Sequence, residues 1–260
     1  VGDVFGAPLA FEGLMAFFLE ATFLGLWIFG WDRLPKGAHL ATIWIAWAGA
    51  SLSAFIILAA NAWMQNPVGY KMAPDGSRAE LVDFWAVLTN PVALATFPHT
   101  MFAAFMFAAA VVIATAAWHL ARRQNIEMMR SALRFGMWGM IVAFVGVFFA
   151  GDQLAIAMVE TQPMKMAAAE ALYQSACGAN ASFSLFTLGT PDGSSELFSV
   201  RVPHLLALLS THTLNGCVEG INDLNAQYIQ QWPQFADKLG GDLPFSPIIW
   251  VTYWSFRWMM

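Results

Sequence analysis

Charged side chains are scarce in this sequence: Asp, Glu, Lys and Arg make up 11% of its 260 residues. Roughly a quarter of the residues in a soluble domain are charged, so the composition excludes an ordinary soluble protein. A basic amino-terminal region and a small-residue cleavage site are also missing, and we therefore do not expect a signal peptide. Hydrophobic residues, by contrast, make up 58% of the chain.

The apolar residues are gathered into long runs. A hydrocarbon core about 30 Å thick requires roughly 20 apolar residues per helix. The predicted fold is an all-α, polytopic transmembrane helix bundle, and we expect the chain to be an internal fragment of a longer protein. The parts are four transmembrane helices within 1–151 (about 5–30, 40–64, 93–118 and 133–151), an extracytoplasmic, partly helical loop at 152–246, and the start of a further transmembrane helix at 247–260.

Basic residues in the short loops predict the orientation of these helices. The loops at 31–39 and 119–134 together contain six Arg and Lys residues, whereas 65–92 contains two, offset by three acidic residues. Loops rich in Lys and Arg stay on the cytoplasmic side of a membrane. We therefore predict that 31–39 and 119–134 are cytoplasmic, and that 65–92 and 152–246 are outside.

Two glutamates, Glu12 and Glu20, are the only charged residues between Phe5 and Gly30. A carboxylate in hydrocarbon is costly, and membrane carboxylates usually face a cofactor, an ion path or each other. Along one helix the two residues would lie roughly 12 Å apart on neighbouring faces. This pattern indicates a proton relay or a cofactor contact. The alternative is a structural pair that is hydrogen-bonded to adjacent helices.

A histidine and a methionine are candidate haem ligands. His99 is the only histidine well inside a predicted span, and Met259 follows Arg257 near the end of the chain. Imidazole and thioether ligands on one iron make a low-spin haem that passes electrons. The predicted topology places both residues near the outer surface, with Arg257 able to face haem propionates. The alternatives are a packing histidine, an apolar filler methionine, and Met260 as the sulfur ligand.

The outer segment contains further candidate residues. Lys165 and Glu170 fall on a predicted helix at 163–176, although such residues are usually solvated surface, and turn-like residues follow at 178–195. Cys177 and Cys217 would form a disulfide if the segment faces outside. Two unpaired thiols are the alternative.

Five stretches of the sequence carry a family resemblance: VGDVFGAPLAFEGLMAFFLEATFLGLWIFGWDRL, LAANAWMQNPVG, FPHT, QPMKMAAAEA and VTYWSFRWM. Together they resemble subunit I of the cytochrome bd family of quinol oxidases. They cover nearly all the predicted spans in the family's order, from its third span to the start of its seventh. The resemblance implies a multi-pass protein of the bacterial plasma (inner) membrane that serves a respiratory chain. Such a protein oxidises quinol at the outer face and reduces oxygen with cytoplasmic protons.

The resemblance implies roles at haem for four residues. His99 and Met259 match the axial ligands of the low-spin haem b, and the family's register favours Met259 over its neighbour. Glu12 matches a carboxylate at haem d, where oxygen is reduced, and is a candidate axial ligand of haem iron. Arg257 matches a basic residue near the low-spin haem.

The resemblance also implies roles in quinol binding and proton transfer. Lys165 and Glu170 match residues of the outer loop, called the Q-loop, that are used in quinol oxidation. Glu20 and Ser53, together with Glu12, match a proton pathway from the cytoplasm.

The implied cofactors are low-spin haem b and, in the full-length protein, high-spin haem b and haem d. The substrates are quinol and O2, and the choice between ubiquinol and menaquinol stays open. The implied partners are a second membrane subunit, a small single-span subunit and the lipid bilayer, with no nucleic acid. The family's amino-terminal haem d histidine and its Gly-Arg-Gln-Pro-Trp segment are absent from this chain, so alone it would hold the low-spin haem at most.

Two other functions fit part of the pattern. The membrane carboxylates alone would suit a haem-free proton channel or transporter. The histidine and methionine alone would suit a haem electron-transfer subunit without oxygen reduction. Haem absorption bands distinguish the three functions.

Overall fold

A computed structural model describes residues 2–233 and 248–259, and it confirms the predicted helical bundle. Within these residues, four helices are long and apolar enough to cross a membrane. A short hairpin and a short helix connect the second of them to the third. The elements of this part are α1 (Gly2–Phe29), α2 (Lys36–Gln65), β1 (Tyr70–Met72), β2 (Ala79–Leu81), α3 (Phe84–Leu88), α4 (Pro91–Ala121) and α5 (Ile126–Thr161).

The rest of the described chain combines short helices with two-stranded antiparallel sheets. The described strands pair as β1 with β2, β3 with β6, and β4 with β5. The chain divides into two compact units, Val1–Leu154 and Ala155–Met260. The elements are α6 (Pro163–Ala169), β3 (Ala176–Cys177), β4 (Phe183–Gly189), β5 (Glu196–Val202), α7 (Leu205–Thr211), β6 (Cys217–Val218), α8 (Ile221–Gln231) and α9 (Ile248–Met259).

The outer segment differs from the expectation in its secondary structure. Helix α6 ends at Ala169 and not near residue 176, because Ala171 adopts the left-handed conformation with φ of 48°. Strand β4 lies within 178–195, where turn-like residues were predicted. Its Phe and Thr residues favour a strand, and the flanking Gly, Asn and Ser residues obscured that preference. The turn itself falls at 190–195, where Gly193 has a positive φ.

Small residues hold α1 against α2. A Cβ added to Gly49 would lie 2.9 Å from the backbone nitrogen of Glu20 and 3.0 Å from the carbonyl oxygen of Ala16. Ala16 is fully buried, and it belongs to a π-helical stretch of α1, Glu12–Phe17. Small residues let membrane helices approach closely. Gly49 therefore determines which part of α2 packs against the stretch of α1 that contains Glu12 and Glu20.

Glycines also line the face of α5 that packs on α4. A Cβ on Gly136 would meet Ile113, one on Gly146 would meet Phe102, and one on Gly151 would meet His99. By contrast, large apolar side chains of the long helices point outward. The most exposed are Leu14, Phe29, Phe107 and Phe135. Outward apolar surfaces of this kind suit a lipid environment and not water.

Candidate functional site

Glu12 and Ser53 form a direct hydrogen bond between α1 and α2. The Ser53 hydroxyl donates to Glu12 Oε1 over 2.6 Å. Glu12 opens the π-helical stretch, and such stretches occur frequently at functional sites. Ser53 lies one turn after Gly49, on the face of α2 that approaches α1. The structure thus brings together two of the three residues that the sequence predicted for a proton pathway.

Glu20 is the third member of that set, and it lies apart from this pair. Its side chain is half-buried and makes no hydrogen bond or ion pair with another described residue. The π-helical stretch lies between Glu12 and Glu20, so a regular helical wheel does not describe their relative positions. No residue pattern in the sequence signals this irregularity.

His99 follows Pro98 in α4 and faces α5. Pro98 cannot donate a backbone hydrogen bond to the preceding turn. The imidazole is half-buried, and its Nδ1 atom is buried without a hydrogen-bond partner among the described residues. A Cβ on Gly151 would come within 3.2 Å of that nitrogen. His99 therefore has bonding capacity that the described chain does not use.

The second unit contains a buried ion pair between Glu170 and Arg257. Glu170 caps the end of α6 and is 1% exposed. Arg257 of α9 donates through Nη2 to Glu170 Oε2 over 2.6 Å. The backbone N–H of Ser184 donates to the same oxygen over 3.1 Å. Glu170 Oε1 is buried and has no partner among residues 2–233 and 248–259.

Three buried hydroxyls extend this cluster beyond Ser184. The Ser184 hydroxyl is hydrogen-bonded to Thr187 Oγ1 over 2.7 Å and to Tyr253 Oη over 2.8 Å. All three residues are fully buried. The Arg257 guanidinium lies over the Phe183 ring, 4.4 Å from its centroid, a cation–π contact that holds the cation in place.

Burial has the largest effect on the pKa of the Glu170 carboxyl. It raises the pKa of the Glu170 carboxyl above its ordinary value, while Arg257, the Ser184 N–H and Arg201 oppose that rise. Arg201 also binds the carbonyl oxygens of Glu170 and Ala171, at 3.3 and 2.8 Å. Desolvation has the largest effect because nearly the whole carboxyl group is withdrawn from water. Glu170 is therefore a carboxyl that holds a proton more readily than an exposed glutamate does.

The sequence analysis did not predict the cation that pairs with the Glu170 carboxyl. That cation is Arg257, 87 positions along the chain, while Lys165 is exposed on α6. No local pattern predicts a pair so far apart. The roles of Lys165 in quinol binding and of Arg257 near haem stay predictions. Tyr253 was also missed, although its position one helical turn before Arg257 places both on one face of α9.

Cys177 and Cys217 are joined by a disulfide in the structure. They face each other in the β3–β6 pair. The bond therefore closes the segment that contains β4, β5 and α7, and it fixes the ends of the region that surrounds Ser184.

Comparison with known proteins gives one consistent result. The sequence model of the family described as cytochrome bd terminal oxidase subunit I matches residues 1–260. The chain belongs to this family. It is 38% identical over 260 residues to cytochrome bd ubiquinol oxidase subunit 1 of Bacillus subtilis (strain 168), covering 100% of the chain and 53% of that relative.

A second relative and a solved structure agree with this membership in the cytochrome bd family. The chain is 39% identical over 227 residues to cytochrome bd-II ubiquinol oxidase subunit 1 of Escherichia coli (strain K12), covering 87% of the chain and 44% of that relative. The structure of bd oxidase from Geobacillus thermodenitrificans matches with a TM-score of 0.75 at 30% identity, covering 86% of the chain and 50% of that chain. The chain thus spans about half the length of these relatives.

Membership in the cytochrome bd family implies haem cofactors. Among the described residues, no group of three or more His, Cys, Asp or Glu converges on one point, and axial ligation of haem needs no such group. His99 offers an imidazole whose Nδ1 atom has no hydrogen-bond partner among the described residues, and Met259 of α9 offers a thioether on a side chain that is 79% exposed. Each is a donor type that haem iron accepts. Met260 lies outside the described residues. Shared ligation by His99 and Met259 stays a prediction.

Proposed function

We propose that this chain is the quinol-oxidising part of a cytochrome bd-type oxidase subunit in the bacterial plasma membrane. It works in a respiratory chain with a second membrane subunit and a small single-span subunit. Family membership over the whole chain supports this proposal. The observation that carries it is Glu170, a buried carboxyl with one oxygen bound to Arg257 and the other unpaired among the described residues.

Glu170 acts as the general base in quinol oxidation. A quinol loses two protons and two electrons as it becomes a quinone. The quinol hydroxyl donates to Oε1, and the proton passes to that oxygen as the electron leaves. Arg257 stabilises the ionised carboxylate before the transfer through its 2.6 Å ion pair with Oε2. Lys165 contributes positive charge at the exposed side of α6, where the quinol enters from the extracytoplasmic side.

His99 and Met259 would hold the low-spin haem b, and Arg257 lies two residues before Met259. When bound, the haem supplies one-electron transfer. The protein's own contribution is to fix the ligands and to keep water from the imidazole, which packs against Gly151. The full-length oxidase also contains high-spin haem b and haem d for the four-electron reduction of O2 to water.

Glu20, Ser53 and Glu12 carry protons from the cytoplasm toward the oxygen site, where Glu12 is the carboxylate at haem d. The hydrogen bond between Ser53 and Glu12 supports the last link of this pathway. Protons are taken up inside and released outside. Charge is therefore separated across the membrane without a dedicated pump.

Absorption spectroscopy tests the proposal. Membranes with the full-length protein are expected to show a low-spin b-type band and a red-shifted d-type band when reduced. His99→Ala is expected to remove the low-spin band. The matched control is His119→Ala on the same helix, since His119 is hydrogen-bonded to Gln124 near the end of α4. An unchanged spectrum in His99→Ala would overturn the ligand assignment, and the absence of any haem band would overturn the oxidase assignment.

A further inference from the structure

Three buried hydroxyls beside Glu170 have no part in the chemistry proposed above. Ser184, Thr187 and Tyr253 are all 0% exposed. Burying a hydroxyl costs free energy unless it is hydrogen-bonded, so their mutual bonds determine where they lie. Their link to the carboxylate is the backbone N–H of Ser184, which donates to Glu170 Oε2.

One acceptor and one donor in this cluster have no hydrogen-bond partner among the described residues. Glu170 Oε1 accepts no hydrogen bond from another described residue. The three hydroxyls have three protons but form only two hydrogen bonds with one another. One of the three protons is therefore left without an acceptor in the described chain. A group that both donates and accepts a hydrogen bond would satisfy both. The hydroxyl of a quinol does so, whereas the carbonyl of a quinone only accepts.

Tyr253 connects this cluster to helix α9. It lies one turn before Arg257, whose guanidinium carbon is 5.1 Å from the centroid of the tyrosine ring. Helix α9 thus reaches Glu170 by two routes, directly through Arg257 and indirectly from Tyr253 through Ser184. Both routes end on Oε2, so Oε1 is the carboxyl oxygen that neither route engages.

We propose that Tyr253, acting through Ser184, is a positioning residue for quinol oxidation: it orients the Glu170 carboxylate so that Oε1 meets the quinol hydroxyl. This proposal rests on the proposed function, because it requires Glu170 to accept the quinol proton. Loss of the phenol hydroxyl releases Ser184 from α9, and the carboxylate then turns without losing its ion pair.

The test uses the intact oxidase complex and steady-state quinol oxidation. Tyr253→Phe is expected to lower kcat/KM for quinol by about fivefold, the effect of one neutral hydrogen bond. Ser184→Ala is expected to do the same. The double variant should be no worse than either single variant, because both remove the same route and their effects do not add. Tyr228→Phe, on α8 and outside the cluster, is the matched control and should leave kcat/KM unchanged.

An infrared measurement gives a second, independent readout. The carboxyl C=O band of Glu170, assigned by its loss in Glu170→Gln, is expected to shift in Tyr253→Phe and not in Tyr228→Phe. Haem content reports folding on the same samples, and Ser184→Ala tests the link if Tyr253→Phe lowers that content. Wild-type kinetics and an unshifted band in Tyr253→Phe would overturn the inference, and additive effects would overturn the route through Ser184. Wild-type quinol oxidation in Glu170→Gln would instead overturn the proposed function itself.

Discussion

At the scale of single residues, a carboxylate in an apolar helix is stabilised by the few side chains that can form a hydrogen bond with it. For Glu12 that side chain is Ser53, at 2.6 Å. A hydrogen bond to a charged group is worth about 1.5–3 kcal/mol, more than a neutral one. The serine is thus more than a packing residue of α2.

Removal of that hydroxyl should slow proton delivery. Ser53→Ala is expected to lower oxygen-reduction turnover about tenfold, as the loss of a charge-assisted hydrogen bond predicts. Ser51→Ala is the control, since Ser51 lies on the same helix and its hydroxyl bonds to the carbonyl oxygen of Trp47. Oxygen-electrode turnover at saturating quinol measures both variants. Equal rates for the two would remove Ser53 from the pathway.

Protonation of Glu170 should lower the rate of quinol oxidation at acid pH. Burial raises the pKa of this carboxyl above the ordinary value of 4.5. Below the raised pKa the carboxyl is protonated and cannot accept the quinol proton, so the rate is expected to rise with pH through that value. Initial rates of quinol oxidation across the acid range measure this pH dependence. An apparent pKa of the rate profile at or below the ordinary value of a glutamate would contradict the assignment of Glu170 as the base.

The raised pKa of Glu170 also predicts how the stability of the folded protein changes with pH. The folded protein binds the Glu170 proton more tightly than the unfolded chain does, so this contribution is complete below the ordinary pKa. It is lost as pH rises through the raised one. The thermal midpoint of the wild type, relative to that of Glu170→Gln, should therefore fall as pH rises through this window. A difference that does not change with pH would show that burial does not control this carboxyl.

At the scale of helices and strands, close approach depends on residues without side chains. Gly49 allows α2 to contact the backbone of α1 beside Glu20 and Ala16. Backbone atoms cannot rotate away as a side chain can. The α1–α2 pair is therefore sensitive to a single added methyl group.

Gly49→Ala should destabilise this helix pair. The added methyl forces the helices apart, and overpacking of this kind costs about 1–3 kcal/mol. Gly25→Ala in α1 is the control, since nothing lies within 4 Å of its added Cβ, and alanine favours a helix over glycine by about 1 kcal/mol. Thermal unfolding in detergent should lower the midpoint for the first variant and not for the second. Equal midpoints would show that the two helices do not pack through Gly49.

At the scale of the whole molecule, the disulfide limits the freedom of the second unit. Cys177 and Cys217 are 40 positions apart. Closing a loop of that length stabilises the folded state by about 4 kcal/mol through the entropy of the unfolded chain. The bond thereby restrains the hairpin that holds Ser184 next to Glu170.

Replacing both cysteines by serine should loosen this region. The double variant is expected to be cleaved faster by protease between the two positions, and reductant should have the same effect on the wild type. The double variant serves as its own control, because reductant should not change its cleavage. Equal cleavage of the oxidised wild type and the double variant would show that the disulfide does not stabilise the loop.

Much of the helical architecture was predictable because it depends on local composition. Long apolar runs cannot stay in water, so α1, α2, α4 and α5 follow from the sequence to within a few residues at most ends. Both ends of α5 were exceptions: the helix begins at Ile126 and ends at Thr161, beyond both ends of the apolar run at 133–151 that predicted it. Strand β4 was hidden because its turn-forming neighbours outweigh its own preference for a strand.

The sequence by itself determined the membrane class and the family, because hydrophobic runs and long motifs are properties of neighbouring positions. Only the tertiary structure decided which polar side chains pair: it joined Glu12 to Ser53 by a hydrogen bond, and Glu170 to Arg257 by an ion pair. Such pairs form where folding withdraws both groups from water. The energy of each pair depends on the distance between the two groups in space, and that distance cannot be inferred from their separation along the chain.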